Sequence, residues 1–430
     1  MRIRTMARLA PAALALGALP AFATDGYFPH GYGLKGEAMG GASTALAQDA
    51  MGGATNPASM VFSGSRLDLG LDLFSPRREA ERSGAGFPTL NGRVESDSNW
   101  FGVPSLGYNR MIRSDLSLGV TVYGNGGMNT DYPQGNFNCG AGPANMLCGS
   151  GKLGVDLMQL IVAPTASYKL APHHAVGASL LLGYQRFKAD GLQAFDNAPG
   201  FPAFTQSPGN VTNRGYDSST GVGIRIGYYG QLTDRLTVGA AYSPKMHMSK
   251  FSKYKGLFAD DGSFDFPENY SVGVSFAATP AWTVAADWQR ISYGGVPSVG
   301  NPSNAAAPLG APNGPGFGWR DIDVFKVGVA WQMNSRWTLR AGYNHSQNPV
   351  RSQDVTFNIL APGVMTQHFT GGFTYALDRD SELNAAFMIA PRQSVTGSSM
   401  FNGIMGAGAA GNETIRMRQF SVGLGWSRRF

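Results

Sequence analysis

The chain has 430 residues, 59 of them glycine, with 43% hydrophobic, 11% aromatic and only 14% charged residues and a formal net charge of +6. Charge is about half, and glycine about twice, the share of an average soluble protein, yet mean hydropathy is only −0.14. This excludes a helical membrane protein, whose spans need about 20 apolar residues each, and it excludes disorder, because so much apolar surface can be buried. A large β protein remains, soluble or membrane-embedded. Residues 1–23 come first in chain order. They join basic Arg2, Arg4 and Arg8 to an apolar run, Leu9–Leu19, and a small-x-small Ala21-Phe22-Ala23. That pattern predicts a cleaved signal peptide. Without those three arginines the 34 basic residues fall to 31, against 28 acidic, a balance that points to no nucleic-acid partner.

Residues 24–65 show no strand alternation. They are rich in Gly and Ala, with a short helix expected around Ala42–Ala50 and a turn at Asn56-Pro57-Ala58. The segment is either a loose tail or a plug for a hollow barrel. Its Gly31-Tyr32-Gly33-Leu34-Lys35-Gly36 spells G-x-G-x-x-G, but no strand precedes it and no βαβ unit contains it, so it is no dinucleotide fingerprint.

From Arg66 the chain repeats runs of about ten residues in which apolar positions alternate with small or polar ones. Leu67, Leu69, Leu71 and Leu73 alternate with Asp68, Gly70 and Asp72; Phe420, Val422, Leu424 and Trp426 alternate with Ser421, Gly423 and Gly425. A period of two means strands with one apolar face. Fourteen such strands are expected, starting near Arg66, Asn99, Asp115, Gly151, His174, Tyr216, Leu236, Phe266, Ala281, Arg320, Arg336, Met365, Glu382 and Thr414. Their connections alternate strictly between a few residues and long loops. A soluble sandwich gives no reason for that alternation. An outer-membrane barrel does, with its short periplasmic turns, long external loops and even strand number. The fold class expected is therefore all-β: a transmembrane antiparallel β-barrel of about 14 strands with an N-terminal plug. Cys139 and Cys148, nine apart in one of the long loops, predict a disulfide in an oxidising compartment.

Several segments resemble the FadL family of outer-membrane transporters for long-chain fatty acids and other hydrophobic compounds. They are Gly40-Gly41-Ala42-Ser43-Thr44-Ala45, Asp49-Ala50, Asn56-Pro57-Ala58, Val103–Tyr108, Leu118–Asn125 and Phe266-Pro267-Glu268. The resemblance implies a monomeric barrel in the outer membrane of a Gram-negative bacterium, with both termini periplasmic and no cofactor or metal. Its N-terminal hatch would comprise residues 24–65, with Asn56, Pro57 and Ala58 touching a kinked strand, and its barrel residues 66–430. The kink would fall at Gly124, Asn125, Gly126 and Gly127 and open a side window to the bilayer. The same glycines could instead be a turn into the next loop.

If aromatic and branched residues face lipid, the lumen receives Asp68, Asp72, Arg225, Asp287, Lys326 and Arg340, together with apolar Leu157, Ile161, Leu181 and Phe187. Apolar inward groups suit a lumen that holds an acyl chain or a ring, with Arg225, Lys326 or Arg340 meeting a carboxylate. The charges could equally pair with one another. Tyr27, Phe28 and Tyr32 could project from the hatch into the same pocket. Phe137, Met146, Leu147, Phe195, Phe201 and Phe204 place apolar groups in two external loops, either as an exposed capture groove or as packing between loops. Asn344-His345-Ser346 is the one local trio that invites a hydrolase, and adjacent strand residues point to opposite faces, so no enzyme is expected. The function expected is passive outer-membrane uptake of hydrophobic small molecules, most of all long-chain fatty acids. A monoaromatic-hydrocarbon channel and a general porin are the alternatives.

Overall fold

A computed structural model describes residues 25–140, 142–200 and 202–430; the expected signal peptide and Phe201 lie outside the described residues. Fourteen strands make the wall: β1 (Arg66–Ser83), β2 (Phe101–Arg113), β3 (Leu116–Tyr132), β4 (Leu153–Ala171), β5 (His174–Asp190), β6 (Asp217–Gln231) and β7 (Leu236–Ser243). The rest are β8 (Asn269–Thr279), β9 (Trp282–Ile291), β10 (Ile322–Gln332), β11 (Trp337–Ser346), β12 (Gln367–Ala376), β13 (Ser381–Ser398) and β14 (Asn412–Arg429). Each pairs antiparallel with its chain neighbours, and β14 closes the barrel on β1, from Arg66 opposite Arg429 to Ser83 opposite Asn412. Every strand starts within three residues of its expected position.

Pleating puts one apolar row outside. Leu69, Leu71, Leu73, Val222, Ile224, Val284, Phe325, Ile389, Phe420 and Leu424 are all exposed, as a lipid-facing band requires. Aromatic pairs mark the short-turn end, where Trp282 stacks on Trp331 at 5.2 Å and Trp337 meets Tyr375 at 4.7 Å. Six strands (β1, β3, β4, β5, β13 and β14) have 17 to 19 residues, well over the ten expected. The lipid-facing alternation stops where the membrane should end, but the hydrogen-bonded wall continues beyond it with a charged outer face.

Residues 25–65 lie inside the barrel. A Cβ on Gly107, Gly239 or Gly342 would run into the backbone at Ala50, Thr44 and Met39, respectively. The inward glycines thus admit this segment's main chain. Its helices are short, Leu34–Glu37 and Met60–Ser63, and the helix expected around Ala42–Ala50 does not form. There the wall takes the backbone donors instead. The Asp287 carboxylate accepts from Ser43 N and Thr44 N, each at 2.8 Å, and Asp68 accepts from Ala50 N at 2.8 Å.

Candidate functional site

Three of the six inward charges, Asp68, Asp287 and Arg225, hold the N-terminal segment. The Arg225 guanidinium donates to the carbonyls of Ala54 and Gly53 and to Ser243 Oγ at 3.2 Å. Lys326 Nζ donates to Gln289 Oε1 at 2.8 Å and Arg340 to Thr374 Oγ1 at 2.7 Å. Lys35 and Arg66 share Glu382, at 2.5 and 2.9 Å, while Arg66 also chelates Asp68. Asp72 is half-buried beside one of the cavities described below.

Asn56, Pro57 and Ala58 sit elsewhere than expected. Buried Asn56 donates through Nδ2 to Thr44 O and Tyr228 O, both at 2.8 Å, and accepts from Ala58 N at 3.1 Å. Ala58 O accepts from Ser167 Oγ at 2.9 Å, and Gly177 and Gly227 face Pro57 and Asn56. The motif therefore docks on β4, β5 and β6, away from Gly124–Gly127. There the opposed glycines Gly177 and Gly227 leave room for the proline ring and the amide.

The kink region is contacted by Tyr27 instead. At Gly124–Gly127 the strand does not turn into a loop: β3 runs on to Tyr132, and Asn125 is an extra residue between the Gly124–Leu160 and Gly126–Gln159 pairs, a β-bulge. Gly126 has φ 154°, and a side chain there would strike the carbonyl of Tyr27, which also accepts from Gly127 N at 3.3 Å. Only glycine permits that approach. The bulged Asn125 turns inward and accepts from Tyr32 Oη at 3.3 Å.

From Tyr123, just before the bulge, the wall is open on one side. Pairing between β2 and β3 runs from Arg113–Leu116 to Leu106–Val122 and stops. Phe101–Ser105 pair only with β1, and Tyr123 onward only with β4. The gap closes higher up, where Asp97 N donates to Asp131 O at 2.8 Å. Behind it lies a cavity with about 550 Å³ of space between atoms, open solvent included, bordered by Val103–Ser105, Tyr123, Gly124, Phe74, Met388 and the segment from Pro29 to Leu34. Its ionisable lining includes the carboxyls of Glu37 and Asp72 and His30.

Two further cavities lead toward the long-loop end. One, with about 310 Å³ of space between atoms, open solvent included, is lined by Phe74, Arg78, Gly127, Met128, Trp319 and Met417. The other, about 480 Å³ on the same measure and nearly all apolar, is lined by Phe187, Phe195, Leu257, Phe258, Phe317 and Phe357. Tyr27 stands between the first two: it packs on Trp319 at 5.8 Å, on Tyr293 at 4.9 Å and on Phe264 at 6.1 Å, and stacks on Phe28 at 5.5 Å. Tyr293 Oη accepts from Tyr27 N at 3.1 Å and from Phe28 N at 3.3 Å, and donates to Asp25 O at 2.5 Å. Burial holds the Asp25 carboxyl up to about 6 and the His30 imidazole down to about 4.

Of the expected ligand residues, Phe187 lines the loop cavity, whereas Ile161 and Leu181 pack with Met51, Tyr123 and Met246, and Leu157 is buried in the main core. Arg225, Lys326 and Arg340 line none of the three cavities. The loop residues do not form an exposed groove. Phe137, Met146, Leu147 and Phe195 are all buried and Phe204 is partly so, because the loops pack on one another; Phe195 meets Phe204 at 5.2 Å and Phe357 at 5.5 Å. Cys139 and Cys148 are joined as a disulfide in that packed region. His345 is exposed while Asn344 and Ser346 are buried, so that trio makes no common site. Tyr293, Trp319 and Phe264 escaped the sequence reading, since loop aromatics carry no periodicity to place them.

A closed fourteen-stranded barrel with an apolar outer band, its own N-terminal segment inside, and apolar cavities leading to a gap in the wall defines an outer-membrane channel. The family model of the outer membrane protein transport proteins (OMPP1/FadL/TodX) matches residues 30–408, and the chain belongs to that family. The Pseudomonas putida toluene transporter TodX is similar in structure at 22% identity and a TM-score of 0.68, over 95% of this chain and 100% of that one. The Ralstonia pickettii toluene transporter TbuX gives 20%, 0.63, 93% and 99%, and a Pseudomonas aeruginosa FadL homologue 15%, 0.68, 94% and 100%, in the same order. No curated protein sequence matches the chain.

Proposed function

We propose that the protein is a monomeric passive channel that takes small, uncharged hydrophobic molecules across the outer membrane and releases them sideways through the gap between β2 and β3. Residues 24–65 serve as the hatch, residues 66–430 as the barrel, and the long loops face outward. One observation carries this reading: the cavity behind the gap borders both unpaired strand edges, at Val103–Ser105 and at Tyr123–Gly124. A molecule in it needs no aqueous step to reach lipid, and each CH₂ kept from water is worth about 0.8 kcal/mol. Ligand would enter by the loop cavity at Phe187 and Phe195 and pass Tyr27 when the hatch shifts.

The charge pattern favours a neutral ligand over a fatty acid. Arg225 is engaged by hatch carbonyls, and the cavity at the gap has the Glu37 and Asp72 carboxyls but, among the described residues, no lysine or arginine on its lining, so it offers a carboxylate no cationic partner. Two similar structures are toluene transporters by name, in keeping with the same ligand class. The test is uptake of labelled toluene and labelled oleate by Gram-negative cells that lack their own transporter and carry this gene. Toluene uptake without oleate uptake is expected. Oleate uptake alone would overturn the ligand class, and leakage of small sugars would make the protein a porin.

A further inference from the structure

Above the apolar band, the outer faces of β13, β14 and β1 carry a patch of arginines. On β14 the last exposed apolar residue toward the long loops is Phe420, capped edge-on by Trp100 at 5.6 Å. Two residues further, about 7 Å at the strand rise, comes Arg418, directly opposite Arg77 of β1. On β13 Arg392 follows exposed Ile389. Buried Glu79 is ringed by the guanidiniums of Arg93 at 2.5 Å, Arg416 at 2.6 Å and Arg392. Arg416 also takes Glu81 at 2.5 Å, and Arg93 takes Glu95 at 3.0 Å.

The carboxylates of this patch are thus all engaged, and Arg77 and Arg418 remain. Both are exposed, and among the described residues neither side chain makes an ion pair or hydrogen bond. Like charges directly opposite on neighbouring strands destabilise a sheet. The pair makes physical sense when an anion bridges it, and two guanidiniums side by side match the oxygens of a phosphate. The height of the pair fixes the anion's source. It lies one step above the lipid-facing band, at headgroup level, and the proposed orientation puts that level in the outer leaflet, whose glycolipid carries phosphates on its sugars.

We propose that Arg77 and Arg418, with Arg392 beside them, form a binding site for the phosphorylated sugar headgroup of an outer-leaflet glycolipid, its acyl chains lying along Phe420, Ile389 and Leu73. This site is separate from the transport path. It takes from the preceding reading only that the long loops face outward.

The experiment titrates the purified full-length protein in detergent with bis-phosphorylated lipid A and follows complexes by native mass spectrometry. Bound lipid A is expected for the wild type, with affinity reduced about tenfold or more in the Arg77→Gln/Arg418→Gln double variant and for dephosphorylated lipid A. Arg336→Gln, an exposed arginine at the short-turn end, should bind as the wild type does. Removing Arg77 and Arg418 relieves a repulsion, so the barrel should fold, which heat-modifiable migration on a gel checks. Undiminished binding by the double variant, equal binding of the dephosphorylated lipid, or an equal loss in Arg336→Gln would overturn the site. Inorganic phosphate that displaces lipid A at equal concentration would overturn the lipid as its ligand. A failure in toluene uptake would leave this measurement untouched, so the two readings stand or fall separately.

Discussion

Tyr293→Phe is the sharpest perturbation of the proposed gate, because it removes one oxygen and keeps every ring contact. In the structure that hydroxyl accepts from Tyr27 N and Phe28 N and donates to Asp25 O. After the change, Phe28 N and Asp25 O still have each other at 3.4 Å, while Tyr27 N loses its partner in a fully buried site. A buried unpaired N–H costs about 1–3 kcal/mol, so about 2 kcal/mol is expected against the docked state of the N-terminal segment. That raises the undocked population about thirtyfold. Hydrogen exchange read at the amides of Tyr27, Phe28 and Gly127 should quicken by a similar factor with the barrel's melting unchanged, and toluene uptake should rise. Unchanged protection at those three amides would refute the latch. Faster exchange with unaltered uptake would refute Tyr27 as the barrier.

Two further predictions concern the same segment. Asn56→Ala strips partners from Thr44 O, Tyr228 O and Ala58 N and should loosen the hatch by about 2–4 kcal/mol; limited proteolysis of the folded barrel between residues 40 and 65 checks it, and resistance equal to wild type would count against it. Acid should act on Asp25 and His30 in opposite directions. His30, held near 4 against 6.5 in water, favours docking above pH 6.5 and loses that contribution as pH falls through 4, whereas Asp25, raised to about 6, favours docking below its ordinary 3.8 and loses it as pH rises through 6. In Asp25→Asn the opposing Asp25 contribution is gone, so lowering pH from 7 to 4 should reduce the protection factor at Tyr27 more than in wild type; an equal reduction would show that Asp25 does not sense the proton.

Strand number, order and starting points were legible because lipid on one side and a small-residue lumen on the other impose a period of two, whereas the length of the six long strands was not, because that alternation stops before they do. Gly124–Gly127 was legible as a special place, since consecutive glycines in a strand signal a bulge or a close approach, and here they are both. The docking of Asn56 on Gly177 and Gly227 was not legible: it joins residues more than a hundred positions apart through a fit between backbones, and glycine leaves no side-chain signature of its partner. The sequence marks Arg225 as an inward base but not what it meets, the carbonyls of Gly53 and Ala54, because a base facing inward reads the same whether a ligand or a peptide carbonyl sits opposite.

That last ambiguity bears on how the lumen stays selective. A water-filled barrel of this width would pass any small solute. Here Asp68 and Asp287 take main-chain N–H groups of the hatch, Arg225 takes its carbonyls, and Gly107, Gly239 and Gly342 admit its backbone to the wall. Much of the polar inner wall is therefore spent on peptide groups, and the cavities behind the gap and toward the long loops are lined largely by apolar side chains. Water gains little there, whereas a hydrocarbon loses nothing. Selection for hydrophobic cargo then follows from what the hatch occupies, with no dedicated polar contact to the ligand.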